Sequence, residues 1–276
     1  MVPFTRWALR ALCLVAVLSS MAAIKQPIRK PVYDPDAPVV PLFEALDREL
    51  VEVTVIAKNS HEANLFVTGK GTQAINVQLP DAVVAVQVLK QGFGPGIGNG
   101  AASGNGSGNG ADSGGQAQPV GGGAKSGGNG LSNMSGNGPQ GNAGNLPGSG
   151  IFSVPVEKTI QIPLKTVCLA HGQPNPQAKM QYKLVPLEEF SSDPRLQETL
   201  KRFVRGEIDE EVAQAAAWHF TNGRSWKALA QERVGHVGGN PGKPLFNKRQ
   251  LTAARELSSL LNDLHPRPEG AKSSRR

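Results

Sequence analysis

Residues 151–190 read I-F-S-V-P-V-E-K-T-I-Q-I-P-L-K-T-V-C-L-A-H-G-Q-P-N-P-Q-A-K-M-Q-Y-K-L-V-P-L-E-E-F. A glycine-rich tract ends just before this stretch and a helical pattern starts just after it. Val154, Val156, Ile160, Ile162, Leu164 and Cys168 share one parity, and strand side chains alternate between two faces. The spacing predicts strands over 151–155, 158–169 and 181–187, each with an apolar side. Pro155 and Pro163 point to strand edges or bulges, because proline cannot donate to a ladder. Gly172 to Pro176 supplies turn residues.

Residues 51–89 repeat the pattern. Val51, Val53 and Val55 alternate with polar neighbours, as do Leu65 and Val67, Ile75, Val77 and Leu79, and Val84, Val86 and Val88. Gly69 to Gly71 and Pro80-Asp81 separate the runs. Four strands here and three after residue 150 add up to about the seven of a two-sheet sandwich. The expected fold is therefore α+β: an antiparallel, Ig-like β-sandwich whose halves are residues 51–91 and 151–190. Between them lies a tract, 92–150, of Gly, Asn, Ser, Ala and Gln. The 60 residues from Gln91 to Gly150 hold 23 of the chain's 33 glycines. So little apolar material cannot offset the entropy of ordering, so a disordered insert is expected.

Residues 191–264 change period. Asp193-Pro194 opens a helix with Leu196, Leu200 and Phe203 on one face, closed at Gly206. Further helices are expected over 208–220, after Ser225, and over 248–264. Residues 24–50 hold five prolines before residue 42 and read as a tether, and 265–276 as a basic disordered tail.

The N-terminus reads as a secretory signal over residues 1–23. Arg6 and Arg10 precede the apolar run Ala11 to Leu18, and Ser20-Met21-Ala22-Ala23 supplies small residues for cleavage after Ala22 or Ala23. The run is far short of the roughly 20 apolar residues of a spanning helix. Export to the periplasm, cell surface or medium is the expected destination. Cleavage would remove Cys13 and leave Cys168 as a lone cysteine with no internal disulfide. It would also take the formal charge from +7 to +5. Residues 243–276 carry eight Lys/Arg against three Asp/Glu. A basic tail suits an anionic surface. Export favours a protein or an envelope polymer as partner over nucleic acid.

Cys168 and His171 form the sharpest candidate site, C-x-x-H. A thiolate and an imidazole can bind a metal or act as nucleophile and base. Against this, a metal wants three or four ligands, and Cys168 shares the parity of the apolar face, where a cysteine behaves as a small hydrophobe. Trp218, His219 and Trp226 could form a recognition surface or pack three short helices. Glu188, Glu189, Glu207, Asp209, Glu210 and Glu211 fall mostly at helix starts, where acids suit the dipole. The sequence holds no G-x-S-x-G, P-loop, H-E-x-x-H or dinucleotide fingerprint, so no cofactor and no enzymatic activity is expected.

V-C-L-A-H-G (167–172), P-N-P (174–176), Tyr182 and P-L-E-E-F (186–190) resemble a family of exported proteins from planctomycete bacteria. Phe152 to Lys158, Ala213 to His219 and Ser225 to Ala230 fit the same family's F-S-V-P-x-E-K, A-Q-A-A-A-W-H and S-W-x-x-L-A elements. The resemblance covers roughly residues 51–261. It implies secretion and a β domain with a helical appendage, and it brings no activity with it.

Overall fold

The computed structural model describes residues 26–88, 117–124, 150–234 and 242–266. The expected signal (1–23), most of the Gly/Asn-rich insert (92–150) and the basic tail beyond 266 lie outside the described residues. The described residues form nine strands and six helices: β1 (Val39–Pro41), α1 (Leu42–Asp47), β2 (Val51–Ala57), β3 (Glu62–Gly69), β4 (Ile75–Gln78), β5 (Val83–Gln87), β6 (Val120–Ala124), β7 (Ile151–Val154), β8 (Thr159–Cys168), β9 (Tyr182–Pro186), α2 (Leu187–Phe190), α3 (Pro194–Arg205), α4 (Glu210–Asn222), α5 (Trp226–Leu229) and α6 (Lys248–Leu264).

Six strands close a barrel in the order β2-β3-β8-β6-β5-β9, every pair antiparallel, with β9 returning to β2 at Tyr182↔Val55. β1, β4 and β7 make a separate sheet, parallel between β1 and β4 and antiparallel between β4 and β7. This overturns the Ig-like sandwich. The reason is β6, read from its composition as part of the disordered insert. Its residues V-G-G-G-A pair with β5 on one side and β8 on the other. Without β6 those two strands would end as open edges and two facing sheets would be the natural outcome. With it the sheet closes and the edges vanish.

The glycines of β6 fit a crowded position. A side-chain carbon on Gly122 would lie 1.9 Å from the Lys165 carbonyl oxygen, and one on Gly121 would lie 2.8 Å from Leu200 of α3. Adjacent backbone and an overlying helix thus leave no room for a side chain. The barrel interior is narrow and filled by side chains, with small residues (Ala57, Ala63, Ala85) among Val55, Leu65, Ile162 and Leu164.

The helices cover one flank. α3 and α4 lie against the outward residues Val84, Val167 and Leu169, forming an apolar layer of Leu196, Leu200, Phe203, Ala213 and Ala217. Asp193 caps α3 by accepting from the Arg195 amide, and Gly206 ends it at φ 78°. Alanines at 213 and 215–217 let α4 approach β8 closely, so both sides of the helix are buried.

The proline-rich segment follows a defined path. Ile28 bonds across to Thr159 and Gln161 beside β8. Asn76, fully buried, donates from Nδ2 to the carbonyls of Asp34 (2.6 Å) and Ala37 (2.8 Å), and its Oδ1 accepts from the Ser153 hydroxyl. Pro163 sits on β8 between Gln161, bonded to Ile28, and Leu164, where β6 pairing ends, so its missing N–H leaves no gap in a ladder. Among the described residues no helix is long and apolar enough to cross a membrane.

Candidate functional site

β8 runs from the small sheet to the helices, and its even residues point into the barrel down to Cys168, which is 2% exposed. Burial pushes the Cys168 thiol up to about 12. At neutral pH it stays protonated, which makes it a poor nucleophile and a poor metal ligand. Its backbone is held by Gln214 of α4. Gln214 Oε1 accepts from the Cys168 amide at 2.8 Å, and Gln214 Nε2 donates to the Cys168 carbonyl at 2.7 Å. The end of the strand thereby finds in a helix side chain the two bonds a neighbouring strand would have given.

His171 enters different surroundings. It lies in the loop after β8, where its amide donates to Asn222 Oδ1 at 3.0 Å. Its Nε2 lies 2.8 Å from Glu232 Oε1, and the same oxygen takes Arg224 Nη2 at 2.5 Å. The imidazole stands edge-on to Trp218, centroids 4.7 Å apart, and Trp218 meets Phe246 at 6.0 Å. A carboxylate paired to an imidazole can orient it and exchange a proton with it. Here Glu232 is shared with a guanidinium, so the chain Arg224–Glu232–His171 reads as a charge-assisted clasp between the β8–β9 loop and the segment after α5.

A second clasp joins barrel to helices. His61, in the β2–β3 turn, is hydrogen-bonded to Glu210 at the start of α4. That bond is the main cause that raises the His61 pKa above its ordinary value, against partial burial. Arg205 at the end of α3 reaches Asp81 before β5 at 3.1 Å, and the Lys165 ammonium sits over the Phe203 ring at 4.7 Å. His219 stacks on Trp226 at 4.3 Å, and its Nδ1 lies 2.8 Å from the Arg224 carbonyl oxygen. Trp218 is therefore a packing residue, while Trp226 is only partly covered.

Of the residues singled out in the sequence, the fold thus places Cys168 inside the barrel and His171 in the joint with the helices. Among the described residues no group of three or more His, Cys, Asp or Glu side chains is placed to hold a metal ion. Gln214, Arg224 and Glu232 were missed. Gln214 had one signal, as the only polar side chain in V-A-Q-A-A-A-W. Arg224 and Glu232 had none, since charged residues beside short helices are ordinarily solvated. Comparison of the chain with family models, with curated proteins and with solved structures gives no match.

Proposed function

We propose that the protein is exported and acts in the periplasm, at the cell surface or outside the cell as a non-enzymatic component, through contacts made by its surface. The observation that carries this reading is the use to which the reactive side chains are put. Cys168 is sealed in apolar surroundings, and His61 and His171 are each committed to a glutamate across the seam between barrel and helices. The filled barrel interior supports the same reading, because a chain that works by surface contact needs a rigid scaffold more than a cavity. The apolar run and small residues near the N-terminus support export, as does the resemblance to exported planctomycete proteins.

Untagged protein from the native envelope tests both halves. Its N-terminus is expected at Ala23 or Ile24, and an intact Met1 would overturn export of a cleaved species. Native Cys168 is expected to resist maleimide at neutral pH and to react after unfolding. Stoichiometric copper, zinc or iron that disappears in Cys168→Ser would overturn the non-enzymatic reading in favour of a metal- or redox-linked role for Cys168 and His171.

A further inference from the structure

Lysines and arginines are used in two ways in this molecule. On the barrel and on α3 most contact a carboxylate: Lys70 with Glu52, Arg195 with Asp193, Arg202 with Glu198, Arg205 with Asp81. The C-terminal part is different. Residues 224–266 hold seven Lys/Arg against three Asp/Glu. Of the seven, Arg224 is paired with Glu232. Lys227, Arg233, Lys243, Lys248, Arg249 and Arg255 are exposed and have no ion pair among the described residues.

The fold gathers these cations. After α5 the chain doubles back as a short ladder: Val234 donates to the Lys243 carbonyl at 2.9 Å, Leu245 donates to the Glu232 carbonyl at 2.8 Å, and Arg233 faces Pro244. This sets Arg233 and Lys243 at one tip. Three residues beyond Pro244, Asn247 caps α6, and Lys248 and Arg249 occupy its first turn, which has no acid. Cations at a helix N-terminus oppose the helix dipole. Their placement there therefore works against helix stability and calls for another reason. Arg255, two turns on, lies over the half-buried Trp226 ring at 5.9 Å, with Lys227 next to it in sequence.

Two apolar groups sit among these charges. Val234 at the ladder tip is 52% exposed, and Trp226 presents a partly open indole. Cations around an exposed aliphatic side chain and an amphipathic ring match a bilayer surface, which offers anionic headgroups and, just beneath, acyl chains. An acidic polysaccharide or a nucleic acid would reward the charges alone and gain nothing from Val234.

From this we infer that the α5–α6 unit is a peripheral contact surface for membranes rich in anionic phospholipid. The inference names the partner for the surface role proposed above. It is tested separately from export, because vesicle binding and the mature N-terminus are independent readings.

The test is co-sedimentation of the mature full chain with vesicles of phosphatidylcholine alone, or with about one third phosphatidylglycerol. Binding is expected to the anionic vesicles only and to fall steeply at roughly 0.5 M salt. The triple variant Lys227→Glu, Arg233→Glu, Lys243→Glu should bind about a hundredfold more weakly, at about fivefold per cation. Val234→Asp should also weaken binding, while Lys70→Glu with Lys179→Glu on the barrel side should not. All of these positions are exposed, and circular dichroism checks that each variant is folded. Equal binding to neutral vesicles, no binding at all, or a triple variant that binds like the parent would overturn the inference. So would retention on an acidic polysaccharide or duplex DNA without vesicle binding.

Discussion

Gln214 is the residue on which the join between barrel and helices turns. It is buried, and both ends of its amide are used on the backbone of Cys168. Removing such a partner leaves a buried N–H and a buried C=O without bonds, each costing about 1–3 kcal/mol. Gln214→Leu, which keeps the volume and loses both bonds, is expected to lower stability by about 2–4 kcal/mol in urea unfolding. A change under about 0.5 kcal/mol would mean that the clamp contributes little. His61 makes a different contribution, because it titrates. Its folded pKa is raised by Glu210, so the protonated form is favoured in the folded state. The stability it adds is fully present below its unfolded value near 6.5 and is lost as pH rises through the higher folded value. The stability difference between the parent and His61→Ala should therefore be larger at acid than at alkaline pH. The opposite trend would refute the assignment. At this scale the sequence revealed which side of β8 Cys168 occupies, because parity alone decides that. It could not reveal the pairing of His171 with Glu232, which depends on a tertiary contact across 61 positions of chain.

Among the elements, those legible in the sequence are the ones with a period or a cap. β2 to β5 and β7 to β9 appear where alternation places them, and α3 to α6 start and stop at Asp193, Gly206, Gly223, Ser225 and Leu264 or within about two residues of the expected limits. β1 and β6 do not announce themselves. β1 is three residues long, follows Pro38 and ends on Pro41, and β6 is mostly glycine, a residue depleted from strands. β6 exists because its two neighbours supply the hydrogen bonds and because α3 needs a thin strand beneath it. The contact distances at Gly122 and Gly121 make this testable. Gly122→Ala forces a carbon against the Lys165 carbonyl and should destabilise by about 1–3 kcal/mol, the usual cost of overpacking. In a strand chosen only for flexibility the same change would be neutral or stabilising. A melting temperature at or above that of the parent would show that β6 is not held as tightly as its contacts imply.

For the whole molecule, the decisive fact is that the two sequence halves alternate around one barrel. β2, β3 and β5 come from before the glycine-rich tract, β8 and β9 from after it, and β6 from within it. The small sheet likewise pairs β4 with β7 across the tract. Neither half can close a core alone, so residues 26–88 expressed by themselves should give no cooperative unfolding transition. The register also says how much of the tract the fold requires. β5 and β6 are antiparallel neighbours with Ala85 opposite Val120, and the Ala117 amide reaches the Gln87 side chain. The strand ends that flank the 28 residues 89–116 are thus held side by side, where a hairpin turn of a few residues would connect them. Closing a loop costs more as it lengthens, by about 0.6 kcal/mol for each doubling. Replacing residues 89–116 by an Asn-Gly turn with short flanks shortens the loop by nearly three doublings. Because the barrel stays intact, the shortened protein should be more stable by about 1.5 kcal/mol. Calorimetry should show one transition at a higher temperature. A lower transition, or a split one, would mean that residues 89–116 make contacts the barrel depends on. The idea that this segment only connects two adjacent strands would then fail.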